Sequence, residues 1–393
     1  MVAGIEFNEQ IKALGKDMKV GLITNQTGVN SRLIGDIEIF KNLFGRNLIC
    51  VFGPEHGIFG SEQAGNPVQS YYDEHFKIDI VSLYDDHQIE GDIDEKMRNS
   101  DVSYAGKSMK DQYLDSIDII FFDIQDIGTR VYTYIATMIN TMAACLKLGK
   151  KFVILDRPNP ISSKMEGPLM EDEYKSYIGS INIPLRHGMT VGEIGNYYNT
   201  YYLNSKLDMA IIKMDGYNHG FYEETGIPWV MPSPNIPTVE TALAYPGQVL
   251  LEGTNISEGR GTTKPFEIFG SPWMDAYDLC KDLNSISLPG VKFRPMKFIP
   301  SFSKYSGELC NGVQIHIMER YSYEAYTVSV NIINILYSKY PDDFKFYSGY
   351  FDKVNGTDRV RKSIYKGDIE SIIDENAIQL SHFNDKYRKI SLY

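Results

Sequence analysis

Residues 118–135 read DIIFFDIQDIGTRVYTYI. The run Ile119 to Phe122 is apolar without alternation and is bounded by polar residues. Such a run predicts a strand buried on both faces of a parallel sheet. The character then changes at once, with Asp123, Gln125, Asp126, Gly128, Thr129 and Arg130 crowded into eight positions. From Tyr132 to Leu148 the pattern predicts a helix that stops at Gly149, a C′ residue. A buried strand therefore ends in carboxylates, a glycine turn and an arginine at a helix entrance. Open α/β sheets bind ligands at that carboxyl edge. Taken alone, Asp126 and Thr129 read as helix caps and Arg130 as the partner of a neighbouring acid.

The same kind of turn recurs along the chain. Strands are predicted at 19–24, 47–52, 80–84, 151–155 and 208–214, with helices at 5–16, 31–44, 110–116 and 190–202. The first of these strands ends in Asn25, Gln26, Thr27 and Gly28, and the second in Gly53, Pro54, Glu55, His56 and Gly57. The strand at 151–155 ends in Asp156, Arg157 and Pro158, where an Asp fixing the turn is the simpler reading. Thr190 and Glu193 form a capping box for the helix that follows Arg186, His187 and Gly188. Residues 58–72 read as a long loop, 85–107 as a polar surface excursion and 161–188 as an insertion. Buried strands alternating with helices mean a parallel sheet with right-handed crossovers. The predicted fold class is α/β, with a Rossmann-like parallel-sheet N-terminal domain over 1–230. The cluster Pro228, Pro232, Pro234 and Pro237 marks its end. A smaller α+β C-terminal domain over 231–393 completes a cleft. It is expected to hold a glycine-rich charged segment at 249–263, helices at 275–284 and 323–340, strands at 291–298 and 312–318, and a helical tail at 366–384.

The chain has 393 residues, enough for a sizeable core. Its net charge of −12, from 51 acids against 39 bases, excludes nucleic acid or an anionic membrane as a general partner. No run of 18 apolar residues is present, so no helical membrane span is expected. Cys50, Cys145, Cys280 and Cys310 lie far apart without a CxxC spacing and read as single buried thiols of a reducing compartment. The N-terminus carries no basic region followed by an apolar stretch. A cytoplasmic protein is expected as written, although a mature exported form would read the same.

Several chemistries fail on motif. No GxGxxG follows a strand, no GxxxxGK[ST] occurs, and no GxSxG elbow exists. Seven histidines are spread out without HExxH or a Cys/His cluster, so neither metal nor cofactor is expected. Carboxylate chemistry remains. Glu55 ends one strand, Asp123 and Asp126 flank the end of another, and Glu252 and Glu258 sit in the glycine-rich segment. Two carboxyls in different environments are what glycoside hydrolysis needs, one donating a proton and one ionised. A salt bridge from Glu55 to Arg130 or Arg157 is an equally simple reading of that residue. Glu252 and Glu258 read equally as loop-stabilising acids held by Arg260.

Seven pieces, taken in order, carry a resemblance: TNQTG (24–28), GPEHGIFG (53–60), DIQDIGTRVYTY (123–134), LDRPNP (155–160), RHGMTVGE (186–193), MPSPNIPT (231–238) and LLEGTNISEGRGTTKPFE (250–267). The set resembles the exo-β-N-acetylmuramidases of the NamZ type. That resemblance implies a Rossmann-like domain, a smaller C-terminal domain and an active site in the cleft between them. It implies release of terminal N-acetylmuramic acid from the non-reducing end of peptidoglycan fragments, with MurNAc-GlcNAc saccharides or muropeptides as partners. On that premise Glu55 is the expected general acid, and Asp123 and Asp126 supply the second carboxyl function as nucleophile, base or orienter of the 2-acetamido group. Asn25, His56, Arg130, Tyr134, His187, Glu258, Arg260 and Thr262 are expected to line the sugar. The lactyl carboxylate calls for Arg130, Arg260 or the turn at 259–263. Two rivals stand beside this reading. One is a non-catalytic muropeptide sensor on the same scaffold. The other is a sugar-phosphate or nucleotide-sugar enzyme, against which the missing phosphate fingerprint argues.

Overall fold

A computed structural model of the chain describes residues 1–84 and 111–393. The segment expected as a surface excursion, 85–107, lies outside the described residues. In the first half, strands β1 (Val20–Thr24), β2 (Leu48–Gly53), β3 (Tyr71–Asp73), β4 (Ile78–Ser82), β5 (Ile119–Asp123) and β6 (Lys151–Leu155) precede a two-stranded ribbon. The ribbon pairs β7 (Glu166–Leu169) with β8 (Pro184–Arg186), and β9 (Met209–Ile212) follows it. Seven of these strands form one sheet in the order β3-β4-β2-β1-β5-β6-β9. All neighbours in it are parallel except the edge pair β3 and β4. From β1 the chain builds outward through β2 to β4, then crosses back and builds the other way through β5, β6 and β9. The reversal places a crevice outside the carboxyl ends of β1 and β5, the binding position of doubly wound sheets.

The apolar runs fill two cores at once. Along a strand successive side chains face opposite sides. Ile119 and Phe121 of β5 join Leu22, Val51 and Val153 in one cluster, while Ile120 and Phe122 join Ile23, Phe52 and Ile154 in the other. Helices α1 (Asn8–Leu14) and α2 (Asp36–Phe44) cover the first face with Ile11, Ile37 and Phe40. A short α3 (Asp111–Leu114) leads into β5. The long α4 (Tyr134–Leu148) and α5 (Val191–Tyr201) cover the second face with Ile135, Met138 and Ile194. Gly149 ends α4 in the left-handed conformation at φ 64°. The capping box at Thr190 and Glu193 is formed.

The second half holds α6 (Val239–Gln248), β10 (Ile268–Ser271), α7 (Ala276–Ser285), β11 (Val291–Phe298), β12 (Cys310–Ile317) and α8 (Ala325–Lys339). Its strands form an antiparallel sheet in the order β10-β12-β11. Helices α9 (Ser348–Asn355), α10 (Arg359–Lys366) and α11 (Ile369–Tyr387) follow. The expected helical tail at 366–384 is α11, which begins at Ile369 because Gly367 takes φ 67° and ends α10, and Asp368 then caps α11. The helix expected from residue 31 begins at Asp36, because the Asn30 side chain accepts from the Arg32 and Ile34 backbones and holds a turn there. Helix α6 was hidden by Pro246 inside it, yet Thr238 caps it by accepting from Thr241 N. The edge strand β3 lies in what reads as loop, and β7 and β8 in what reads as an irregular insertion.

Buried polar groups tie the halves together. Arg130 follows the β5 turn and is buried. Its guanidinium donates to the carbonyls of Pro168 and Ile183 in the first half, and to Val354 and Asn355 at the end of α9. Carbonyls at a helix C-terminus lack partners within the helix and attract a cation. At the end of β6, Asp156 accepts from Arg157 N, Gly192 N and the hydroxyls of Thr190 and Tyr393.

Arg130→Met would leave four buried carbonyls unpaired, and its cost is expected at about 3 kcal/mol or more. Urea unfolding measures it. Burial pushes the Asp156 carboxyl up to about 7, against the hydrogen bonds from Gly192, Tyr393 and Thr190 that favour the ionised form. The folded value lies above the unfolded one, so the contribution is full below about pH 4 and is lost as pH rises through about 7. Between pH 5 and pH 8 the wild type should lose about 2 kcal/mol more stability than Asp156→Asn, read from urea titrations at each pH.

Candidate active site

The turn after β2 is built on a rare backbone conformation. His56 takes φ 71° and Gly57 φ 76°. The first is uncommon for a residue with a side chain and persists only when its surroundings enforce it. Here Gly57 N donates to Pro54 O at 3.0 Å and Glu62 N to His56 O at 3.3 Å. His56 Nδ1 donates to Glu62 O at 2.6 Å, which leaves Nε2 as an acceptor. The turn directs Glu55 and His56 into a cavity of about 440 Å³. That volume suits a small-molecule site. Glu55 is 4% exposed, and its Oε1 accepts from Gly65 N at 2.8 Å.

The facing wall comes from the second half. Glu252, Glu258 and Arg260 line it, with Ser233 and Asn235 from the proline-rich segment and Phe302 from the loop before β12. Glu258 sits between two cations, Lys304 Nζ at 3.0 Å and Arg260 Nε at 3.4 Å. Glu252 accepts from Arg260 Nη2 at 2.6 Å and from the Tyr350 hydroxyl at 3.1 Å. Burial works against the charge of Arg260, but the carboxylates of Glu252 and Glu258 hold its pKa above the usual value. Its guanidinium lies 5.0 Å from the centre of the Phe266 ring. Gly259 and Gly261 flank it at φ 82° and 77°, and a Cβ on Gly259 would come within 2.6 Å of Ile268. Tyr132 also lines the cavity. Its hydroxyl lies beside those of Ser233 and Tyr134, and burial raises its pKa so that it stays neutral.

Of the expected site residues, Glu55, His56, Glu258 and Arg260 meet around this cavity. The others lie behind it or beside it. Asp123 is fully buried and paired with Arg157, Nε to Oδ1 at 2.5 Å and Nη2 to Oδ2 at 2.8 Å. Asp126 Oδ2 accepts from Gly128 N at 2.7 Å and from His187 Nε2 at 3.1 Å, and His187 Nδ1 accepts from Met189 N. That pair pins the β5 turn to the segment before α5. Arg130 does not line the cavity, because its guanidinium is committed to the four carbonyls of the tie. Tyr134 donates to Pro232 O at 2.6 Å and backs the rings of His56 and Tyr132. Asn25 accepts from Thr27 N and Oγ1, and Thr262 donates to Gly259 O, so both serve their own turns. The salt bridge from Glu55 to Arg130 or Arg157 does not form. Glu252 and Glu258 both contact Arg260, as the simpler reading held, and both also line the cavity.

Tyr132, Tyr245, Ser233 and Asn235 line the cavity without having been singled out, and Lys304 reaches Glu258 from outside it. For Ser233 and Asn235 a signal existed in the prolines around them, which mark a turn that Ile236 N closes by donating to Ser233 O. For Lys304 none existed, since it meets Glu258 across 46 residues of sequence. Among the described residues no group of three or more His, Cys, Asp or Glu is placed to hold a metal ion. No helix among them is long and apolar enough to cross a membrane.

Comparison with known proteins agrees from end to end. Residues 20–240 match the family model for the N-terminal part of the exo-β-N-acetylmuramidase NamZ, and residues 243–393 match that for its C-terminal part. The peptidoglycan β-N-acetylmuramidase NamZ of Bacillus subtilis (strain 168) is 41% identical over 394 residues, covering 99% of this chain and 89% of that one. A crystal structure of a DUF1343 family protein from Bacteroides fragilis NCTC 9343 superposes with a TM-score of 0.87 at 31% identity. It covers 100% of this chain and 98% of its own. A second DUF1343 protein from that organism superposes at 0.78 with 27% identity and the same coverage.

Proposed function

The chain belongs to the exo-β-N-acetylmuramidase family NamZ, a family of glycosidases, and from that premise we propose that it removes terminal N-acetylmuramic acid from the non-reducing end of peptidoglycan fragments. The observation that carries the reading is the pairing of Glu55 with Glu258 across one cavity. The two acids differ in surroundings. Glu258 lies between Lys304 and Arg260, an environment made for a carboxylate. Glu55 is buried with a backbone amide on one oxygen and, among the described residues, no salt bridge to a cation. Glycoside hydrolysis needs that division.

Glu55 then protonates the glycosidic oxygen as the C1–O bond breaks, and the rest of the glycan leaves as an alcohol. The positive charge that develops at C1 faces Glu258. Water adds at C1, and its proton returns to Glu55. Asp123 is set aside as the second carboxyl, because Arg157 neutralises it beneath the cavity. Asp126 keeps a supporting place, holding His187 and the turn behind Tyr132. Arg260 commits Nε and Nη2 to the glutamates, and its remaining amino group is the donor for the lactyl carboxylate. Tyr132 supplies a neutral hydroxyl donor for the 2-acetamido group or a ring hydroxyl.

Incubation with a MurNAc-GlcNAc disaccharide should release both monosaccharides. No release from unsubstituted and peptide-bearing substrates alike would make the protein a sensor instead. Glu55→Gln should lower kcat on the disaccharide by about 10²- to 10⁴-fold. It should lower turnover of a dinitrophenyl muramide far less, since that leaving group needs no proton; equal losses would remove Glu55 as the acid. Glu258→Gln should instead slow both substrates to a similar degree, by about 10²-fold or more, in the same assay.

A further inference from the structure

A second cavity of about 350 Å³ adjoins the first, and His56 and Pro67 line both. It lies between the loop after β2 and the sheet edge at β3 and β4, and no step above uses it. Phe59 and Tyr71 line it and are 62% and 42% exposed. One exposed aromatic is ordinary. Two on one hollow, with Ser61 and Gln69 as polar neighbours, match a pyranose, which offers an apolar C–H face and a rim of hydroxyls.

We infer that this cavity is the subsite for the sugar on the leaving side of the scissile bond, and that it takes a neutral 2-acetamido pyranose. The inference rests on the hydrolase reading above. Its direction follows from Glu55. A proton donor to a glycosidic oxygen sits at the junction of the two sugars that oxygen joins. Glu55 lines the first cavity, and its neighbour His56 forms the wall between the two. The terminal sugar therefore lies with Arg260, and its neighbour lies beyond His56. Charge selects the neighbour. Among the described residues no Lys or Arg lines the second cavity, and Glu62 does. A lactyl carboxylate is disfavoured there, whereas N-acetylglucosamine carries no charge.

The test compares MurNAc-GlcNAc with methyl β-N-acetylmuramide, whose one-carbon aglycone cannot fill the second cavity. In the double variant Phe59→Ala, Tyr71→Ala, the ratio of kcat/KM for the disaccharide to that for the methyl glycoside should fall about tenfold. The methyl glycoside value itself should stay within about twofold of wild type, which also reports that the variant is folded. Tyr71→Phe should keep the wild-type ratio. A ratio unchanged in the double variant, or an equal fall on both compounds, overturns the subsite while leaving the hydrolase intact. A wild type that cleaves neither compound overturns the hydrolase reading and the subsite with it.

Discussion

A parallel sheet covered on both faces can expose polar chemistry only at the ends of its strands. In this protein β1 and β5 are buried along their whole length, and their side chains divide between two apolar clusters. Each strand then ends in polar residues that cannot turn back into either core. An acid left unpaired beneath the rim would carry a large desolvation penalty. Arg157 offsets part of it at Asp123, and four hydrogen-bond donors offset part of it at Asp156. Asp36 stands behind Asp123, and burial together with the charge of Asp123 pushes its carboxyl well up. The rim is a layer of neutralised charge on which the cavity floor rests.

Above that layer the rule is relaxed. The turn after β2 is one residue out of ordinary backbone geometry at His56, and local hydrogen bonds hold it there. That is how an acid and an imidazole adjacent in sequence both come to face a cavity. The opposite wall brings its own charges already balanced, two glutamates against Arg260 and Lys304. The excess acid in the cavity is Glu55. Its position opposite a compensated cluster gives the two carboxyl groups different surroundings, the basis of the division of labour proposed for them.

The arrangement needs the halves to keep their places. Arg130 joins four carbonyls drawn from both halves, and Tyr387 and Leu392 bond to Glu193 at the start of α5. These contacts lie outside the cavity lining. Arg130 and Arg260 show how one residue type serves two ends. Surrounded by carbonyls a guanidinium is a fastener, and beside carboxylates at a cavity wall it is the recognition group proposed for the lactyl carboxylate.

Read alone, the sequence was enough for the alternation of strands and helices and the parallel sheet, and it named Glu55, His56, Glu258 and Arg260, which the fold brings to one cavity. Those follow from local pattern: an apolar run, a turn rich in glycine, an acid at a strand end. It could not separate Asp123 from Glu55, since both are acids just where a buried strand stops. Their difference lies in β6 running beside β5, which brings Arg157 against Asp123 across 34 residues, whereas Glu55 has no salt bridge among the described residues. Nor could it show Lys304 beside Glu258, or Tyr132 facing the cavity while Tyr134 backs it. Which charges neutralise each other is a matter of neighbours in space, and only the packed chain determines those.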